Sequence, residues 1–176
     1  MQKINLNKLV LSAMFMAIGI ILPFFTAQMK EIGNTLLPMH IPVMLCGLIC
    51  GAKYGLAVGF VLPLLRGAVF GMPPLYPNAI WMAFELATYG FVIGFLYARP
   101  GKHGTGYLYA CLLTAMVAGR ISWGIVKTII LGLSGGLFTL QAFITGGLLD
   151  AIPGIIMQLI LIPLIMGLVN HARKTT

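Results

Sequence analysis

The sequence predicts an all-α integral membrane bundle of six transmembrane helices, and three observations carry that prediction. Hydrophobic residues make up 60% of the 176 and charged residues 8%, with mean hydropathy +1.02. A soluble chain carries about a quarter charged residues. Apolar runs also recur along the whole length, and at about 20 residues per crossing there is room for roughly six helices and short loops. Finally, the basic residues are dispersed at the ends of those runs, as expected of a multi-pass chain. The net charge of +8 is therefore a topology signal rather than a nucleic-acid patch.

In order, the segments fall at 8–25, 40–50, 54–70, 78–97, 107–133 and 141–170. Lys3 and Lys8 ahead of an apolar run imitate a signal peptide, but "FFTAQMKEIG" has no small-x-small cleavage site, so this is an uncleaved first helix. The second segment is short for a full crossing and is expected to tilt or be capped by its loops. The sixth is long and carries Pro153 and Pro163, which predict kinks or a break. Lys3, Lys8, Lys53, Arg99, Lys102, Arg173 and Lys174 alternate onto one side. The other side holds Lys30 beside Glu31 and the uncharged loops "GMPPLYP" and "SGGLFTLQ". Both termini are therefore expected in the cytoplasm, and residues 1–176 form one transmembrane domain.

Two small-residue patterns predict packing. In "CGLICGAKYGLAVGF", Gly47, Gly51, Gly55 and Gly59 repeat every four residues, a spacing that lets helix backbones approach closely. Lys53 and Tyr54 mark a turn inside the run, so it serves two adjoining helices. Cys46 and Cys50 at i,i+4 and Cys111 read as small apolar filler rather than a metal or redox pair, and no disulfide framework is implied.

Polar residues inside the apolar runs point to a site. In "AIWMAFELATYGFVIGFLY", Glu85 stands alone, about 10 Å from the external end of its helix at 1.5 Å per residue. Lys127 is about 9 Å deep, Arg120 is near the middle, Arg66 is close to the external end and Asp150 is about 13 Å in. Ionisable groups within a membrane usually face the bundle interior or an aqueous cavity and pair with each other. Glu85 is thus expected to face inward beside Arg120 or Lys127.

Asn78, Trp81, Glu85 and Tyr89 share one helical face, and so do Arg120, Trp123 and Lys127. Aromatic walls with a few fixed polar groups suit a small-molecule pocket; a packing network of ion pairs is the competing reading. His40 could touch a ligand, although capping or interfacial placement fits its position better. His103 and His171 read as solvated, and no metal-ligand spacing or cofactor motif is present. Without H-E-x-x-H, G-x-S-x-G or a P-loop, the enzymatic alternative shrinks to an intramembrane hydrolase pairing Glu85 with His40.

These residues resemble the substrate-binding S components of energy-coupling factor (ECF) vitamin transporters over essentially the whole length. In "LSAMFMAIGIILP", Ala13 and Ala17 match the family's A-x-x-x-A signature. The segments "LLPMHIPVMLCGLICGAKYGLAVGF", "GMPPLYPNAIWMAFELATYG" and "GRISWG" extend the resemblance. It implies a bacterial plasma-membrane protein in which Ala13 and Ala17 dock on a transmembrane T component, with two cytoplasmic ATPases supplying energy. It also implies an outward-open substrate cavity, with "FTAQMKEIGNTLLPM" as a lid and "GMPPLYP" and "SGGLFTLQ" as gates, and toppling in the membrane to release substrate inside.

Arg66, Glu85, Arg120, Lys127 and Asp150 sum to one positive charge, which favours a carboxylate-bearing vitamin such as pantothenate. Pyridoxine-type and cobalamin-related compounds stay open. The alternative from another class is a solitary, ATP-independent small-solute carrier or channel.

Overall fold

Long apolar runs without turn residues become long helices, and the runs end where glycine, proline or charge collects. The computed structural model describes residues 5–26, 37–101, 104–133, 135, 139–149 and 151–175. Its main helices are α1 (Leu6–Thr26), α2 (His40–Cys50), α3 (Ala52–Phe70), α4 (Ile80–Tyr97), α5 (Thr105–Leu133) and α6 (Ile152–Thr175). Among the described residues there is no strand. Among the described residues, five stretches are long and apolar enough to cross a membrane: Leu6–Phe24, Ala52–Phe70, Leu75–Tyr97, Thr105–Leu133 and Thr145–Ala172. Helix α2, with 11 residues, is about 16 Å long.

The short helix is the central one. Every residue of α2 except Ile49 is buried, and it packs against α1, α3, α4 and α6. A helix that is apolar all round belongs in such a position. Ile41, Met44, Leu45 and Leu48 join Tyr89 and Ile93 of α4, Leu112 and Met116 of α5, and Ile162 and Met166 of α6 in one core. The peripheral helices instead keep an apolar stripe outside: Val10, Met14, Ile18 and Ile21 on α1, and Ile156, Ile160, Leu164 and Leu168 on α6. Those stripes suit acyl chains, which are as apolar as leucine.

The glycine run works as an intramolecular packing device. A Cβ on Gly47 or Gly55 would come within 2.5 Å of the Gly90 carbonyl oxygen, so α2 and α3 meet α4 backbone to backbone. The turn inside the run falls at Gly51 rather than at Lys53 and Tyr54. Gly51 has φ 102°, and its N–H donates to the Gly47 carbonyl. Only glycine takes that conformation without a Cβ penalty.

Two expected helices begin differently. Helix α4 starts at Ile80, after a turn at Leu75–Ala79 in which Tyr76 is extended (φ −118°, ψ 132°). The expected single segment at 141–170 is divided into Leu140–Ile144, a wider turn at Thr145–Leu149, and α6. Pro153 lies in the first turn of α6, where a missing N–H breaks no helical bond. The helix continues through Pro163.

Lys3, Lys30, Glu31, Lys102, His103 and Asp150 lie outside the described residues, as do residues 27–36 of the lid expected over 25–39. So do Ser134 and 136–138 of the gate "SGGLFTLQ" and the side chains of Arg173 and Lys174.

Candidate functional site

The two polar faces expected on α4 and α5 meet across an antiparallel seam. Glu85 Oε1 lies 2.9 Å from Arg120 Nη1, an ion pair not aligned well enough to form a hydrogen bond. One turn along α4, Tyr89 is 2% exposed and packs on Gly119, where a Cβ would stand 2.8 Å from its ring. In the other direction, Lys127 Nζ sits 4.4 Å from the Trp123 ring centroid and 5.1 Å from that of Trp81. Such cation–π contacts hold an ammonium group away from bulk water. Asn78 is half-buried in the turn before α4.

Glu85 is tolerable at this depth because Arg120 compensates it. Both are closed off from the surface, at 3% and 7% exposure. Removing either partner would strand a buried charge, at a cost of about 3–5 kcal/mol.

His40 corrects its sequence assignment. It begins α2, but it neither caps the helix by its side chain nor sits at an interface: its exposure is 0%. Its Nε2 is 3.5 Å from Glu85 Oε1, and its ring stands edge-on to Tyr89, with centroids 5.1 Å apart. The helices around α2 enclose its first turn, which a chain position alone does not reveal.

Arg66 is not brought to this cluster. Its guanidinium donates to the Ile20 carbonyl of α1 and lies 4.8 Å and 5.9 Å from the Phe24 and Phe70 ring centroids.

Gln158 was missed. It is 1% exposed, and its Nε2 has no hydrogen-bond partner. Gln158 is one turn from Ile162, which shares a core with Tyr89 and Met116; those two residues are one turn from Glu85 and Arg120 respectively. Four residues apart, Gln158 and Ile162 share the face of α6 that enters the core. As the one polar residue between Ile152 and Val169, it could have been noticed.

Volume and chemistry point to different places. A groove of about 520 Å³ runs along Ile121, Gly124, Ile125, Thr128 and Ile129 of α5, opposite Thr139 and Phe143. Its lining has no charged group, and Ile121, Ile125 and Ile129 belong to the exposed apolar surface. It offers a ligand little that would fix its orientation. The buried cluster between α2, α4, α5 and α6 is the stronger candidate. Ala13 and Ala17 lie elsewhere, exposed on α1, and line a second groove of about 350 Å³ with Met16, Ala57 and Val61.

A family model described as ECF transporter, substrate-specific component, matches residues 7–166. The chain belongs to that family. No curated protein and no solved structure gives a match. The S component is accordingly a transporter's substrate-binding subunit rather than an enzyme. Its several long apolar helices make it a multi-pass membrane protein. S components partner with a T component and ATPases and bind small-molecule substrates, so an enclosed polar cluster has a role to fill here.

Proposed function

We propose that this S component binds a small water-soluble vitamin or vitamin precursor from outside and delivers it to the cytoplasm with an ATP-driven ECF module. On this reading residues 1–176 form one transmembrane domain in the bacterial plasma membrane, all six main helices cross, and both termini are cytoplasmic. Glu85, Arg120, His40, Tyr89, Trp81, Trp123, Lys127 and Asn78 surround the substrate path. Arg66 braces α3 against α1. The module is a T component with two cytoplasmic ATPases, and the S component contributes no ATPase of its own.

The observation that carries this reading is the buried cluster of Glu85, Arg120 and His40, whose Nδ1, Nε2, Nε and Nη2 atoms have no hydrogen-bond partner. Several unmet atoms gathered in one place support a site over simple packing, because each costs about 1–3 kcal/mol. Docking is supported by the exposure of Ala13 and Ala17 on α1, since small residues admit close helix approach.

Two measurements test the reading. Purified protein screened by thermal shift against a vitamin panel should find a ligand that adds about 2.7 kcal/mol of stability at a hundred times its dissociation constant. Reconstitution with the T component and ATPases should make uptake ATP-dependent. Equal uptake without the module would instead establish a solitary carrier or channel.

A further inference from the structure

We propose that Arg120, Gln158 and His40 form an enclosed site for the carboxylate of a small organic acid, with Arg120 holding the carboxylate side-on. This rests on the substrate-binding reading above and specifies the ligand's chemical class.

Arginine presents five N–H donors in a planar, rigid fork. In Arg120 only Nη1 faces Glu85, at 2.9 Å. Nε and Nη2 form the side edge of the guanidinium, where two N–H bonds point in parallel, and both atoms are buried without a partner. A carboxylate accepts both bonds at once, one per oxygen. A neutral carbonyl offers a single oxygen and satisfies the edge poorly. A phosphate monoester brings up to two negative charges close to Glu85, whereas a carboxylate brings one.

The remaining orphans extend the description. Gln158 Nε2 is a further buried donor without a partner, on the face of α6 that carries Ile162 into the core. His40 Nε2 faces Glu85 at 3.5 Å, which leaves Nδ1 as its unpartnered nitrogen, a donor or an acceptor according to tautomer. An acid with a hydroxyl or amide near its carboxylate would meet this set more fully than a plain alkyl acid. Entry requires a wall to move.

The test uses the full chain in detergent with matched acid and neutral pairs: pantothenate and pantothenol, nicotinate and nicotinamide, biotin and biotinamide. Thermal shift followed by titration should show at least one acid binding at least tenfold more tightly than its neutral counterpart, about 1.4 kcal/mol. Arg120→Lys keeps a cation beside Glu85 but loses the parallel edge, so the acid preference should fall to near unity. The double variant Glu85→Gln, Arg120→Gln leaves no stranded charge and should show the same loss if Arg120→Lys is unstable. Gln158→Leu should weaken an acid that retains the preference without removing the preference itself.

The proposal is overturned if no acid in the panel binds, if inorganic phosphate or a neutral counterpart binds as well as the acid, or if the preference survives in both Arg120 variants. Tight binding of a neutral vitamin with ATP-dependent uptake intact would remove the carboxylate and leave the transport function standing. Acid binding with uptake independent of the ECF module would do the opposite.

Discussion

Arg66 and Arg120 are buried to a similar degree, at 5% and 7% exposure, in neighbouring parts of one bundle. On the α1–α3 side, Arg66 bonds a backbone carbonyl and lies against two aromatic rings; none of its nitrogens is among the buried atoms left without a partner. On the α4–α5 side, Arg120 has a carboxylate on one nitrogen and two buried nitrogens unmet. Burial of a cation therefore does not by itself distinguish a brace from a site. The number of donors still unsatisfied does. Arg66 joins two helices through its bond to Ile20, whereas the unmet donors of Arg120 are what the proposed site would use.

The largest expected effect separates the two sides by function. Ala17→Trp puts a large ring on the exposed face of α1 and should reduce ECF-dependent uptake to background, with ligand affinity of the isolated protein unchanged; Ala13→Trp should behave alike. Uptake and titration on the same preparation measure both. Equal loss of binding would mean that α1 supports the site itself.

On the α4–α5 side the effect should reach both stability and affinity. Glu85→Ala strands Arg120 and is expected to cost about 3–5 kcal/mol, while Glu85→Gln preserves shape and costs less. Glu85→Gln should tighten binding of an acid held by Arg120 and weaken binding of a ligand that Glu85 itself contacts, by at least tenfold in either case, about 1.4 kcal/mol. Normal affinity in folded Glu85→Gln would leave the carboxylate a packing role and erase the contrast between the two arginines. Chemical denaturation in detergent and isothermal titration supply the two readouts.

The α4 and α5 faces were legible because a charge in an apolar helix has few tolerable directions, and residues three or four apart share one face. That reasoning brought Glu85 to Arg120. It says how deep a residue lies and not which neighbour stands beside it, so Arg66, at a similar end of the bundle, was grouped with a cluster it does not join. His40, a candidate ligand contact in the sequence, is buried rather than capping or interfacial, which is not legible for a related reason: the first turn of a short helix looks the same whether lipid, water or other helices surround it. Gln158 is hard to read from sequence because a neutral amide carries no formal charge to mark it. The turn at Gly51 was placed two residues late because charge was used as the turn signal where a positive φ governed.

The smallest expected effect is also the sharpest test of the brace. Arg66→Met keeps a long side chain against Phe24 and Phe70 but removes the donor to Ile20. Losing a charged hydrogen bond costs about 1.5–3 kcal/mol, and the apolar substitute should recover part of this by packing without leaving a buried charge. A net loss of about 1–2 kcal/mol is expected on that basis. Binding should change by no more than about twofold, since sites without shared partners are additive to about 0.5 kcal/mol. Denaturation and titration of Arg66→Met beside Arg120→Lys make the comparison directly. Affinity that fell as far in the first variant as in the second would join Arg66 to the site and show that α3 reaches the ligand.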